Sequence, residues 1–351
     1  MVTARKVGII ILIIAILFGL FLLIITITNY KPEEITEIII NNNQGKIIDS
    51  SIPLTCTSFN IGYGGLDENQ NFFADGGSNS RAASREKVVG NLNDIIELLD
   101  TINSDFLLLQ EVDFDSSRSY KIDQVKYFQE KYPNYSSVFG INYKVAWVPV
   151  PILKPMGKAY SGILTLSKYH AIDAFRVQLP GTEKWPIQLF ELDRCFIETR
   201  FPVNNGKELV LLNSHLSAFD KGGVIRQQQL NYLKSYIENE YFKGNYIIVG
   251  GDWNHNLPDT DPYSFNSTEE WPFWLENLPQ DFKPRGFSWA IDKEVPTVRT
   301  LAEEYTDGYN FLAVIDGFLI SDNVEVLETY AIDNNFRNSD HNPVTIEFLL
   351  K

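Results

Sequence analysis

The chain has 351 residues, 44% of them hydrophobic and 13% aromatic, enough for one large domain with a sizeable core. Aspartate plus glutamate outnumber lysine plus arginine 45 to 30, a net charge of −15 with no long basic run, which weighs against a nucleic-acid binder resting on a basic footprint. Two cysteines exclude a disulfide framework and a zinc-finger pattern; Cys56 and Cys195 each stand in an apolar, strand-like run and read as small buried core residues, with a disulfide between them as the other option.

In chain order, Arg5 and Lys6 precede an uncharged apolar run from Val7 to Thr28. It is roughly 22 residues long, or about 33 Å as a helix, enough to cross a bilayer. It is longer than an ordinary signal-peptide core, no small-residue cleavage site follows it, and the basic flank places the N-terminus in the cytoplasm. Residues 1–28 are expected to be a signal anchor in the cell membrane; the alternative is a cleaved signal peptide and a secreted body. Either way the body is extracytoplasmic. Residues 29–50, with Lys31-Pro32-Glu33-Glu34 and Asn41-Asn42-Asn43-Gln44-Gly45, read as a polar linker. Residues 51–351 show no repeat and no low-complexity tract and are expected to form one catalytic domain.

Within that domain, strands are predicted at Leu54–Ile61, Phe106–Leu109, Tyr160–Leu166, Cys195–Phe201, Leu209–Leu212, Tyr246–Val249, Phe311–Ile320 and Val344–Leu350. Helices are predicted at Arg85–Leu99, where Val88, Val89, Leu92, Ile95, Ile96 and Leu99 recur with helical period, at Ile122–Lys131, stopped by Pro133, and at Val224–Glu240. Many strands with a few long helices imply a two-sheet core flanked by helices.

The strand ends carry polar residues again and again: Asn60 in "SFNIG", Gln110, Glu111 and Asp113 in "LQEVD", Asn213 and His215 in "NSHL", Asp252 and Asn254 in "GGDWN", Asp340 and His341 in "SDHNPV". Any one of these is equally a turn. Asp316, read as lying inside an apolar strand, is harder to dismiss, because an ionised carboxylate there is costly unless paired, and histidine is its natural partner. Glu111 is a hard oxygen ligand of the kind magnesium takes. The inventory fits metal-assisted attack of water on phosphorus. A cysteine nucleophile, a G-x-S-x-G elbow, an H-E-x-x-H helix and a P-loop are all missing.

Taken in order, "SFNIG", "LQEVD", "YSGILTLSK", "NSHL", "GGDWN", "IDGFLIS" and "SDHNPV" resemble the endonuclease/exonuclease/phosphatase superfamily of deoxyribonuclease I-like enzymes, from about Leu54 to the C-terminus. The resemblance implies a four-layer α/β/β/α sandwich with the site at one edge of the two sheets. It implies Mg2+, or Mn2+, on Glu111 with Asn60 and Asp340 beside it. Asp252 would orient or deprotonate the attacking water, Asn254 would bind the phosphate, and His341, backed by Asp316, would contact the scissile phosphate. His215 matches an additional histidine of some branches, and Tyr160 falls where another branch keeps a phosphate-contacting tyrosine. Gly62 departs from that last branch, which has a metal-binding aspartate there, and Trp253 replaces a more usual phenylalanine. His255 is either a substrate contact or a loop residue.

Substrate choice rests on weaker signals. Arg118 and Arg226 closely follow catalytic motifs and are candidate substrate contacts, as are Lys158, Lys221 and Arg299; Arg194 is expected to brace the core. Residues 143–162 and 268–279 are rich in aromatic and apolar side chains. They either pack internally over the sandwich edge or form a rim that touches a bilayer. Three functions remain open: an extracytoplasmic hydrolase of phosphodiesters or phosphomonoesters, acting on a phospholipid headgroup or a small phosphate ester; a deoxyribonuclease I-like nuclease, which the charge does not favour; and a non-catalytic binding domain on this fold. No protein partner is implied.

Overall fold

A computed structural model describes residues 2–220 and 222–351. Helix α1 (Val2–Thr28) is long and apolar enough to cross a membrane, a property that a signal sequence shares. Its last turns are covered by the body: Phe21 stacks on Phe190 with ring centroids 6.2 Å apart, and Ile25 is only 5% exposed. The segment 29–50, expected as a linker, is laid along the body. β1 (Ile35–Glu37) pairs antiparallel with β6 (Asp173–Gln178), the Ile38 amide donates to Ala174 O at 2.8 Å, and Ile48 is fully buried in the core. The isoleucines scattered between the polar residues supply this attachment, so the segment is a strap that closes the sheet edge.

Alternation along the strands builds the layers. β2 (Leu54–Asn60) turns Leu54 and Cys56 to one side and Phe59 to the other, and β3 (Phe106–Asp113) does the same with Phe106 and Leu108 against Leu107 and Leu109. With β4 (Ser136–Val148), β5 (Gly157–Ser167), β16 (Val324–Ala331) and β17 (Val344–Leu350) they form a six-stranded sheet in the order β16-β17-β2-β3-β5-β4. The second sheet runs β1-β6-β7-β8-β9-β15-β12, where β7 is Cys195–Pro202, β8 Glu208–His215, β9 Tyr246–Asp252, β12 Phe287–Ala290 and β15 Asp316–Ser321. Two short pairs stand apart: β10 (His255–Asn256) with β11 (Glu276–Asn277), and β13 (Val298–Arg299) with β14 (Leu312–Ala313).

The two sheets bury a shared core of Cys56, Phe106, Leu108, Leu211, Ile248 and Phe318 among others. α2 (Arg85–Ile102) and α3 (Gln124–Lys131) cover the outer face of the six-stranded sheet, and α4 (Val224–Phe242) covers the other sheet through Leu230, Leu233 and Ile237. This is the α/β/β/α sandwich. Caps set the helix starts: Ser84 accepts from the Lys87 amide, and Asp123 accepts from the Lys126 amide, which moves the start of α3 two residues beyond Ile122. Cys56 and Cys195 are buried free thiols. The predicted strand Phe311–Ile320 is broken, because Thr297 Oγ1 takes the Ile315 and Asp316 amides at 2.9 and 3.0 Å. Asp316 therefore opens β15 instead of lying within a strand.

Candidate active site

The inward-facing positions turn polar at one end of the sandwich. On β8, Leu209 and Leu211 give way to Asn213 and His215; on β9, Tyr246 and Ile248 give way to Gly250 and Asp252. Asp252 lies directly opposite Asp316 in the antiparallel β9–β15 pair and beside His215 in the parallel β8–β9 pair. Three ionisable side chains thus stand side by side on one sheet face. Close approach of these strands requires Gly251: a Cβ there would lie 1.9 Å from Ser214 O, and its φ is +153°.

The other sheet supplies the opposing wall. Asn60 Nδ2 donates to Asp252 Oδ2 at 3.0 Å and lies 3.3 Å from His341 Nε2. His341 Nδ1 is 2.8 Å from Asp316 Oδ2, and His341 and His215 Nε2 approach Asp252 Oδ2 to 3.7 and 3.3 Å. The Asn254 amide donates to Asp252 Oδ1 at 2.9 Å, so Asp252 is held from three sides. Glu111 is thrown toward the cavity by a bulge in β3 between Leu109 and Val112 and has φ of +54°. Asn254, at φ +48°, shares that strained region; for non-glycine residues this costs on the order of 1–3 kcal/mol and concentrates at functional sites.

Electrostatics divides the labour. Burial opposes charge on His341, but Asp316, Asp340 and Asp252 outweigh it and push the ring up to about 10, so it is a cation at neutral pH. Burial, then the positive charges of Arg194, His341 and Arg118, hold His215 well below the ordinary histidine range, so it is neutral. Burial raises the Asp252 carboxyl to about 7, with Asp316 adding and His341 opposing. Burial raises Asp340 to about 6, with His341 opposing and Glu111 adding. Glu111, partly exposed, and the buried Asp340 therefore repel one another across the cavity wall. That donor set, with the Asn60 amide, fits a divalent cation. Among the described residues, Asp252, Asp316 and His341 bring ligand-type atoms within 4.8 Å of one another.

These residues open into a cavity of about 610 Å³ that Asn60, Glu111, His215, Asp252, Asn254, Asp340 and His341 all line. Asp316 stands behind His341. Arg118 also lines it; the guanidinium lies 3.2 Å from Glu111 Oε2 and 3.0 Å from Asp113 Oδ1, and stacks over the Tyr63 ring. Arg226 does not reach the cavity. It is spent on Asp220, at 2.5 Å, and on the carbonyls of Asn254 and Trp274, where it braces the loop that carries Asn254. Tyr160 also misses it: the ring lies against Phe114, centroids 4.8 Å apart, and strand alternation gives the cavity Ser161 instead. Lys158 pairs with Asp115, Arg299 borders the cavity but binds the Asp67, Gln70 and Thr300 carbonyls, and Lys221 lies outside the described residues. His255 is buried off the cavity in β10, with Nδ1 2.7 Å from Trp253 O, and is held down to about 4 by burial.

Arg194, expected to brace the core, lines the cavity, and among the described residues its guanidinium makes no ion pair or hydrogen bond. An unpaired buried cation facing carboxylates and a neutral histidine is a ready anion contact. In sequence it is only an arginine before a strand, with no partner to mark it. Asp75 is a second residue that sequence missed. It borders the cavity, takes hydrogen bonds from the Trp274 indole and the Leu301 amide, and is raised to about 6 by burial.

A two-sheet sandwich with paired carboxylates and histidines at one end of its facing sheets defines a class of phosphoester-hydrolase architecture. The chain belongs to the Endonuclease/Exonuclease/phosphatase family, whose model matches residues 57–341. Solved structures share the fold. One is an endonuclease/exonuclease/phosphatase from Beutenbergia cavernae, 17% identical, with 85% of this chain and 72% of that one covered and a TM-score of 0.59. Another is D. rerio TDP2 complexed with single-strand DNA product, 17% identical, 84% and 98% covered, TM-score 0.52. A third is the human Nocturnin catalytic domain, 16% identical, 90% and 98% covered, TM-score 0.53. No curated protein matches the sequence.

Proposed function

We propose that the protein is a membrane-anchored, extracytoplasmic hydrolase of phosphodiesters or phosphomonoesters that uses Mg2+, or Mn2+ in its place. The observation that carries this reading is Asp252, held by Asn60 and the Asn254 amide, within reach of a cationic His341 that Asp316 orients. Glu111, Asp340 and Asn60 would hold the metal, which when bound neutralises phosphate charge. Asp252 Oδ2 aligns a water and takes its proton as the water oxygen bonds to phosphorus and the ester P–O bond opposite breaks. The His341 Nε2–H, with Nδ1 engaged by Asp316, donates to a phosphate oxygen and stabilises charge that grows in the transition state. Asn254 and Arg194 position the phosphate, and neutral His215 stands beside the water site. The departing oxygen takes its proton from solvent. Arg5 and Lys6 before the apolar run support a cytoplasmic N-terminus with the body outside.

The nuclease reading has support from the fold it shares with TDP2, which was solved with a DNA product, but the −15 net charge opposes it. The test uses the full chain in detergent with bis-p-nitrophenyl phosphate and plasmid DNA, with Mg2+ or EDTA. Turnover of the diester in Mg2+ alone is expected, and Asp252→Ala lowers kcat about 10²- to 10³-fold without loss of fold. Full activity in Asp252→Ala would end this assignment. Nicked plasmid would turn the choice to the nuclease.

A further inference from the structure

We propose that the mouth of the cavity rests on the lipid bilayer and that the site takes its phosphate ester from a lipid; this rests on the phosphoesterase reading above and narrows its substrate. The mouth carries exposed apolar side chains among polar ones. Val150, Ile187, Phe219 and Phe273 all line it and are all exposed, and Phe219 and Phe273 sit 6.0 Å apart, which joins two loops into one patch. The connection between β4 and β5 that carries Val150 also carries Ile152 and Leu153, 87% and 94% exposed. Single exposed apolar side chains are ordinary, but several gathered around one site entrance mark an interaction surface. The aromatic loops divide accordingly. Trp271 and Trp274 pack inward against Phe311 and Val298, while Phe273 between them points to solvent, 75% exposed.

What covers the patch follows from α1. Its Phe21 stacks on Phe190, a cavity-lining residue, and the indole of Trp185, which neighbours rim residue Ile187, donates to Thr26 Oγ1 at 3.4 Å. Phe21 lies seven residues before the helix ends at Thr28, about 10 Å along the axis. The cavity wall is thus fastened to a part of the helix that lies within its apolar span. With α1 in a membrane, that wall, Trp185 and the rim stand at headgroup depth, where amphipathic aromatics settle. Residues 29–34 leave no long tether before β1, so the body has little freedom to lift away. The cavity then runs from that mouth, whose apolar side chains suit acyl chains, down to Arg194, Arg118 and His341, suited to the phosphate.

The test reconstitutes the full chain in phosphatidylcholine vesicles with an environment-sensitive fluorophore on Leu153→Cys, Phe273→Cys or, as a control in the far β7–β8 turn, Asn205→Cys. Both native cysteines are buried. Labels at 153 and 273 are expected to shift blue and to be quenched by nitroxides on lipid acyl chains, while the label at 205 is not. Aqueous emission at 153 and 273 overturns the proposal, and so does a blue shift without lipid quenching, which would mean that a protein covers the patch. Headgroup or phosphate release is then followed from vesicles of phosphatidylcholine, phosphatidylethanolamine, phosphatidylglycerol and sphingomyelin. The double variant Ile152→Asp/Leu153→Asp is expected to lose at least tenfold on vesicle lipid and nothing on bis-p-nitrophenyl phosphate. Turnover of the soluble ester with none of these lipids removes the lipid substrate and leaves the phosphoesterase. Silence on both removes the phosphoesterase reading, and the fluorophores still decide the docking.

Discussion

At the scale of single residues, the site is a set of charges arranged by what surrounds them. His341 and His215 are the same residue type a few ångströms from one carboxylate oxygen, yet one is cationic and the other neutral. Burial opposes charge on both; at His341 it is outweighed by Asp316, Asp340 and Asp252, whereas at His215 the positive charge of Arg194 adds to it. Arg194→Ala is expected to raise KM for a phosphodiester about tenfold or more, with Arg194→Lys restoring part of it, because an unpaired buried guanidinium contributes a charge-assisted hydrogen bond to an anion. Unchanged steady-state kinetics would return Arg194 to a structural role. Asp193, next to it, carries a pH signature. Burial raises its carboxyl to about 6 against an ordinary 3.8, with Arg176 opposing. The folded state then holds the proton more tightly than the unfolded chain. That contribution is fully present below pH 3.8 and is lost as pH rises through 6. Asp193→Asn is expected to be more stable than the parent at pH 7 by on the order of 1 kcal/mol, with the gap closing toward pH 4 in denaturant titrations. A constant gap across that window would refute the assignment.

At the scale of elements, the strap from Ile35 to Ile48 shows how a polar composition hides a structural segment. Its asparagines and glutamates read as a tether, yet Ile48 is fully buried among residues of both sheets. Ile48→Ala should cost about 2–5 kcal/mol of unfolding free energy in denaturant titration of the full chain. A free linker would show less than about 0.5 kcal/mol. The strand ends that carry Asn60, His215, Asp252 and His341 were readable beforehand, because a polar residue closing an apolar strand is a local pattern. Their convergence on one cavity is what strand alternation delivers. Arg118 and Arg226 are singled out by nearness in sequence to those motifs and Tyr160 by the family resemblance; of the three only Arg118 lines the cavity. Arg226 is consumed by Asp220 and by carbonyls from two distant loops, and Tyr160 is turned away by the alternation that brings Ser161 inward.

For the whole molecule, the acidic balance and the carboxylate-rich wall point to a cation as part of the folded state. If Glu111 and Asp340 hold Mg2+, the ion should raise the thermal unfolding midpoint in proportion to the logarithm of its concentration, and Glu111→Gln/Asp340→Asn should abolish the rise. A midpoint indifferent to Mg2+ would argue against this metal site without any appeal to activity.

By itself the sequence determined the layered α/β class, the apolar N-terminal span, the helices with 3.6-residue periodicity and the polar strand ends, since each depends on residues within a few positions of one another. The tertiary structure alone decided which arginine is free and which is spent, that Asp316 opens a strand opposite Asp252, that the supposed linker is part of the sheet, and that the helix end stands against the cavity wall. Those outcomes turn on pairings across tens to hundreds of residues. A side chain's charge state and direction there are set by neighbours that the local pattern does not name.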